Sequence, residues 1–257
     1  MQNLVTETRN DLIRRIIATA AVKSSEITDL VNLYYNVQDF RIQNANRDRT
    51  EEGTVTKKKP VEQSELAQWL DFWMHAGETV IYGKLKQWIE GPLAPPEAKW
   101  AYAQHGIGPV IAAGLSAHIN VEKAKTVSAL WKFAGQAPGF DRKVKGQKLC
   151  YNARLKVLCY KIGESFVKVS GKEDATYGQL YVQFKQQEIN KNESGQYAEA
   201  AKRELEAKKF KSDNVTKKRL MEGKLSDGHL HQRAKRRATK IFLSHYWEQG
   251  RKAKGLP

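Results

Sequence analysis

Apolar residues recur along much of the chain at intervals of three and four positions, which places them on one face of a helix. One long run begins near Ser64 and stops at Gly91–Pro92, a pair that ends helices. Further runs cover residues 152–169 and then Tyr177–Phe184, and the last extends from Asp227 to about Gln249. Alternation of apolar and polar residues, the mark of a strand, never lasts more than a few positions. The sequence therefore predicts an all-α, multi-helix fold.

Two segments depart from this pattern. Residues 43–62 are polar and contain Gly53 and Pro60, which predicts a mobile loop. Residues 190–223 are rich in charge and poor in apolar anchors, which predicts an extended or mobile helical arm. Trp69, Trp73 and Trp88 are spaced as core residues. We expect Trp131 and Trp247 to be packing residues and not platforms on which bases stack.

These patterns predict three regions. An N-terminal helical region covers 1–95, and a central helix-hairpin-helix region covers 96–172. A basic helical C-terminal arm covers 173–257.

The first fifteen residues are polar and charged where a signal peptide needs an apolar stretch, and no apolar run is long enough to span a membrane. We therefore expect a location in the cytoplasm of a bacterial or phage-infected cell, in association with the nucleoid.

The charge is distributed unevenly. Residues 1–140 hold 16 Lys/Arg and 15 Asp/Glu, a net of +1. Residues 141–257 hold 28 Lys/Arg and 13 Asp/Glu, a net of +15. A solvated basic surface is one explanation, but such asymmetry more often indicates a polyanionic partner, either nucleic acid or an acidic membrane surface.

A short glycine motif supplies a candidate phosphate contact. Gly106 and Gly108 flank Ile107, and Pro109 and Val110 open a helix of small residues. Glycines let a phosphate approach the backbone, and a helix amino terminus directs free N–H groups at it. This arrangement is typical of a helix-hairpin-helix, a unit that binds the DNA backbone. A tight turn without a ligand is the simpler alternative.

Basic residues elsewhere extend the predicted DNA-binding surface. One group, in the loop and helix that follow the hairpin, contains Lys143, Lys145, Lys148 and Arg154. A second group lies on the last helix, where a row of cations would suit a row of phosphates: Arg233, Arg236, Arg237 and Lys240.

Other reactive side chains carry weaker signals. Asp227, His229, His231 and His245 lack the spacing of a zinc site, and we expect His245 to be a packing residue and no metal or other cofactor to be bound. Cys150 and Cys159, placed in one helical pattern, are too far apart to form a disulfide.

The segment Gly106–Phe166 resembles the C-terminal domain of the DEDD-type insertion-sequence transposases, which are RNA-guided recombinases. The resemblance rests on GIGPVIAAGLSAHI, on SALWKFAGQAP and on KGQKLCYNARLKVLCYKIGESF. Leu130–Gly135 matches the family's apolar stretch, and Lys145–Ile162 matches its basic loop and Leu/Arg-rich helix. The tail from His229 resembles the ends of uncharacterised phage and mobile-element proteins that carry this domain.

The chain departs from that family where the family's chemistry lies. The transposases have an RNase H-like domain with four metal-binding carboxylates, whereas residues 1–100 here are predicted to be helical. They also use a serine nucleophile in the basic loop, and Asp141–Tyr151 contains no serine. Cys150 lies near that place and could in principle act as a nucleophile, but both the carboxylate cluster and the serine of the family are missing. We therefore expect no catalysis.

The sequence thus predicts a non-catalytic DNA-binding protein of a phage or mobile element, acting on duplex or branched DNA in recombination, replication or packaging. A homo-oligomer is compatible with this interpretation. Two alternatives stay open. One is a transposase-derived recombinase or nuclease, and the other is a phage structural protein or one that docks on a host complex.

Overall fold

A computed structural model describes residues 2–19, 21–50, 64–140, 145–210 and 214–257. These residues form helices and contain no strand, which confirms the all-α prediction. A short 3-10 helix at Ser24–Glu26 leads into α2. The α-helices are α1 (Gln2–Ile17), α2 (Ile27–Thr50), α3 (Glu65–Glu90), α4 (Pro96–Tyr102), α5 (Pro109–His118), α6 (Val127–Phe133), α7 (Ala153–Lys168), α8 (Thr176–Glu193), α9 (Ala198–Ala207), α10 (Val215–Met221) and α11 (Asp227–Ala253).

The chain divides into two compact units. The first contains Met1–Lys99 and Gly108–Ile119, and the second contains Trp100–Ile107 and Asn120–Pro257. This division differs from the predicted regions 1–95, 96–172 and 173–257. It separates the two sides of the predicted hairpin and joins the C-terminal helices to the central ones.

The first unit is built on α2 and α3, with α5 packed against both. Ser64 caps α3 by accepting a hydrogen bond of 3.2 Å from the Ala67 amide. Side chains of the two long helices also bond across their contact: Arg41 Nε donates to Glu78 Oε1 at 2.6 Å. The buried residues of the unit include Leu85, Trp88, Ile89, Ala112 and Leu115.

The second unit is built around α11, which packs mainly on α8 and α7. Three aromatic side chains form its centre. The Phe166 ring stacks on Tyr177 with 5.0 Å between centroids, and Phe242 meets both rings edge to face. Phe242 and its neighbours Leu243 and Tyr246 are completely buried, so α11 is a core element and not the predicted arm.

Both predictions about irregular segments need correction. The predicted loop 43–62 is helical through Thr50, and 51–62 lie outside the described residues. The predicted arm 190–223 folds into α9 and α10 around a small core of its own. That core consists of Ala201, Leu220, Leu225 and Leu230. Four apolar residues spread over thirty positions are few, but they converge because α9 and α10 pack on one another.

Two of the tryptophans predicted for the core are on the surface. Trp88 is buried, whereas Trp69 and Trp73 are 57% and 50% exposed. Their rings meet edge to face with 6.3 Å between centroids. Trp69 and Trp73 follow buried Ala67 by two and six positions, spacings that place them on other faces of α3. In the part of the chain that the structure describes, no helix combines the length and apolarity needed to cross a bilayer.

Gly178 sets the distance between α8 and the end of α7. An added Cβ would lie 2.9 Å from Ser170 Cα and 3.1 Å from the carbonyl oxygen of Val169. Because these are backbone atoms, we expect Gly178→Ala to lower the free energy of unfolding by about 2 kcal/mol, measured by urea titration. Gly171→Ala is the matched control, since nothing lies within 4 Å of a Cβ there. Equal stability of the two variants would contradict this account of the packing.

Candidate nucleic-acid interface

Gly106 adopts a backbone conformation that side chains disfavour. Its φ is +88°, and an added Cβ would lie 3.0 Å from Ser165 Oγ and 3.3 Å from Val169 Cγ2. The Ser165 hydroxyl donates a short hydrogen bond to the Gly106 carbonyl. Ile107 is buried, and its amide donates to the Gln104 carbonyl at 3.0 Å. The Gly106 carbonyl is therefore bound within the second unit, and the Ile107 amide already has a partner.

Gly108 is different, because it belongs to the first unit and begins α5. It is the N-cap residue, with φ −82° and ψ 172°, and it provides no side-chain cap. The N–H groups in the first turn of a helix have no acceptor within the helix. Pro109 has no backbone N–H and therefore needs no acceptor. Nothing lies within 4 Å of a Cβ at position 108, so the space before these amides is open. The Val110 side chain is buried, which leaves only its backbone for a ligand.

The predicted hairpin itself is not confirmed. α5 packs against α2 and α3 within the first unit, and α4 has only seven residues. A side chain at position 108 would not strain the backbone, because the φ and ψ of Gly108 are extended values open to any residue.

The basic stretch 145–154 precedes and begins α7. Asn152 caps that helix by accepting the Leu155 amide at 3.0 Å, which fixes where the loop ends. Lys145, Lys148 and Arg154 are exposed. Within the described ranges no carboxylate forms an ion pair with any of them. Lys143, the fourth predicted cation of this loop, lies outside the described residues.

The predicted row of cations on α11 is divided between two neighbours. Arg233 and Arg237 face α8, where Glu188 is buried with its side chain 2% exposed. Arg233 Nε donates to Glu188 Oε2 at 2.6 Å, and Arg237 Nη1 donates to Oε1 at 3.1 Å. Tyr197 also donates to Oε2 at 2.6 Å. The partner of Arg233 and Arg237 in the structure is therefore a buried carboxylate of the same chain.

The other two cations of the row lie towards α6 and α7. Lys240 Nζ is 3.9 Å from the centroid of the Trp131 ring, and Trp131 Nε1 donates to the Lys240 carbonyl at 3.2 Å. Burial lowers the pKa of Lys240, and the charge of Arg236 lowers it further. Arg236 is exposed beside a cleft between α7 and α11.

His245, His231 and Cys159 are held in the packed interior of the second unit or at its edge. His245 shares a 2.8 Å hydrogen bond with Tyr177, and His231 shares one of 2.7 Å with Tyr181. Among the described residues no group of three or more potential ligands could hold a metal ion. Cys159 is buried in α7, which raises the pKa of its thiol to about 12. Cys150 is exposed and precedes the helix, so the two do not share one helix as predicted.

Three residues that shape these surfaces were not predicted from the sequence. Glu188 binds the arginines from 45 and 49 positions away, and Lys156 and Lys235 line the cleft beside Arg236. Comparison of the chain with protein-family models, with curated proteins and with solved structures finds no match.

Proposed function

We propose that the chain binds nucleic acid, and duplex DNA in particular, through its phosphates and without cleaving it. One observation carries this proposal. Lys145, Lys148 and Arg154 are exposed within ten positions of the chain, and no described carboxylate neutralises them. Like charges held close together repel one another, and a row of phosphates relieves that repulsion.

The rest of the molecule supports the same partner. The net charge of +15 on residues 141–257 attracts polyanions over a distance of about a Debye length. Contacts of this kind are made to the backbone and carry little sequence information. Selection among DNA forms would then depend on shape, as with branched molecules.

The resemblance of Gly106–Phe166 to the transposase domain supports DNA as the partner and a phage or mobile element as the source. The resemblance does not support a recombinase reaction for this chain. Metal-assisted strand transfer needs several carboxylates close together, and Asp141–Tyr151 has no serine nucleophile.

The basic stretch is tested by its salt dependence. We expect the triple variant Lys145→Gln, Lys148→Gln and Arg154→Gln to weaken binding to all DNA sequences alike. Each phosphate contact contributes roughly 0.9 to the slope of log affinity against log salt, so the slope should fall by about 2.7. Fluorescence anisotropy with a labelled duplex at several salt concentrations measures it.

The control removes the same charge from another part of the second unit. Lys202, Lys209 and Lys218 are exposed, and no ion pair with them is found in the described ranges. Their replacement by Gln should leave the slope nearly unchanged. If both triple variants lower the slope equally, binding is spread over the whole basic surface and the assignment to 145–154 is wrong.

A further inference from the structure

Three large apolar side chains form an exposed stripe on the first half of α3. Leu66, Trp69 and Trp73 follow one another at intervals of three and four positions, which places them on one side of the helix. Each is at least half exposed, with Leu66 at 66%. An apolar stripe of this kind normally faces another part of a protein. A single exposed apolar residue needs no explanation, but a contiguous group indicates a binding surface.

The two long helices of the first unit run antiparallel. Asn44 Nδ2 on α2 donates a hydrogen bond to the Ala67 carbonyl on α3 at 3.1 Å. Earlier on α2, Val37 Cγ1 lies 3.7 Å from the position that a Cβ would take at Gly77. Residue numbers therefore rise along one helix where they fall along the other, and one turn forward on α2 lies beside one turn back on α3.

Phe40 extends the stripe of α3 onto α2. On α2, Phe40 lies one turn beyond Val37 and is 62% exposed. On α3, Trp73 lies one turn before Gly77. Because the helices run antiparallel, Phe40 and Trp73 are neighbours across their contact. The exposed side chains form one surface, which we call the α2–α3 apolar face: Phe40, Leu66, Trp69 and Trp73.

The charges around this face do not suit a polyanion. Residues 65–83 of α3 contain no Lys or Arg, but they do contain Glu65, Asp71 and Glu78. Arg41 of α2 is paired with Glu78 at 2.6 Å. Nucleic acid and anionic lipid are both attracted by clusters of cations. Neither of them therefore fits the α2–α3 apolar face.

The same charges suit a second copy of the chain. Two identical copies repel one another through regions in which each carries a large net charge. The net charge is +1 over residues 1–140 and +15 over residues 141–257. A contact between copies is therefore least opposed in the first unit, which contains the α2–α3 apolar face.

The area of the face matches what a dimer needs. Three aromatic side chains of about 200 Å² each, half exposed, and one leucine present roughly 400–500 Å² of apolar surface. An interface of standard size covers about 800 Å² on each partner, and about 60% of it is apolar. The α2–α3 apolar face therefore supplies the apolar part of one such interface, and Trp and Phe are enriched at the centres of interfaces.

We propose that two copies of the chain form a symmetric dimer by packing their α2–α3 apolar faces together, with Trp69 and Trp73 at the centre. In a two-fold pair the same patch serves both copies, so the stripe of α3 meets its own counterpart. Association stops at two copies, because each face is used in forming the pair. The inference does not rest on the proposed function, since it involves no residue of the basic stretch 145–154.

Sedimentation equilibrium of the full chain, treated with nuclease and measured at low and at high salt, tests the dimer. We expect the mass of two chains at both salt concentrations. Contacts between apolar surfaces persist at high salt, whereas copies held together by residual nucleic acid separate. The comparison therefore distinguishes a direct contact between copies from bridging by nucleic acid.

The double variant Trp69→Glu with Trp73→Glu removes the centre of the proposed interface and opposes like charges across it. We expect the dimer to dissociate at a concentration about a hundredfold higher or more. Leu93→Glu with Val215→Glu is the matched control, because both side chains are exposed and lie outside the face. This control should dimerise as the wild type does.

Near-UV circular dichroism verifies that the variants are folded. If the double tryptophan variant does not fold, Leu66→Glu replaces it. Leu66 is the most exposed residue of the face and lies in the first turn of α3, and its loss should weaken the dimer about tenfold.

A dimer that persists at high salt, is weakened by the face variants and is retained in the control supports the proposal. A chain that stays monomeric overturns it, and so does a dimer that separates at high salt or survives the face variants. Association that continues beyond two copies overturns the closed pair. Failure of the chain to bind DNA leaves the dimer unaffected, so this inference and the proposed function fail separately.

Discussion

Replacing Glu188 by Ala is expected to lower the free energy of unfolding by about 3 kcal/mol. The side chain of Glu188 is 2% exposed and accepts hydrogen bonds from Arg233, Arg237 and Tyr197. Its loss leaves two guanidinium groups without their shared carboxylate. We take the lower end of the range for a broken buried pair, because Arg233 and Arg237 keep 42% and 36% of their side chains exposed.

Urea titration measures this change, and Glu199→Ala is the control. Glu199 is also paired with an arginine, but its side chain is 94% exposed and its closest approach to Arg203 is 3.9 Å. Exposed pairs contribute little, so this variant should unfold at nearly the wild-type urea concentration. If both variants lose the same stability, the Glu188 network is no more than a surface contact.

The same network predicts how stability depends on pH. Burial alone would raise the pKa of Glu188, but the hydrogen bonds from Tyr197 and Arg233 and the charges of the arginines hold it below its ordinary value of about 4.5. A carboxyl with a lowered pKa in the folded state stabilises the fold above its unfolded pKa and loses that effect as the pH falls through the folded value.

Glu188→Gln isolates this contribution, because it keeps the shape of the side chain and cannot titrate. We expect the stability difference between wild type and Glu188→Gln to be largest near pH 6 and to shrink towards about pH 3. Urea titrations at several pH values measure it. A difference that stays constant over this range would show that Glu188 does not titrate with a lowered pKa.

The sequence was informative where structure depends on near neighbours along the chain. The apolar spacing of 152–169 and the start at Asp227 are reproduced by α7 and α11, because the spacing itself creates the buried face. Prediction from the sequence failed where the residue that makes the contact is distant along the chain. Arg233 and Arg237 were predicted to belong to a row of phosphate ligands, and nothing near them in the sequence indicates that Glu188 lies beneath.

The exposed tryptophans and the small core of α9 and α10 were missed for the same reason. Trp69 has the helical spacing of a core residue, but which face of α3 is covered depends on its contacts with α2 and other helices that are remote along the chain. Leu220 and Leu225 are too few to predict a core from their own segment. They are buried because Ala201 and Leu230 reach them from two other helices.

The two glycines of the predicted hairpin should respond differently to the same substitution. Gly106→Val is expected to lower the free energy of unfolding by about 3 kcal/mol. A β-branched residue at φ +88° is strained by roughly 1–3 kcal/mol, and its Cβ would press on Ser165 and Val169. Gly108→Val should change stability by less than about 1 kcal/mol, because its backbone is extended and the space around it is open.

This difference allows the hairpin to be tested for DNA binding without unfolding the chain. A valine at position 108 would fill the open space before the first amides of α5, so we expect it to weaken binding if a phosphate lies there. Urea titration and fluorescence anisotropy on the same preparation measure both effects. Full affinity in folded Gly108→Val would remove the start of α5 from the binding surface, and the basic stretch 145–154 would then account for binding alone.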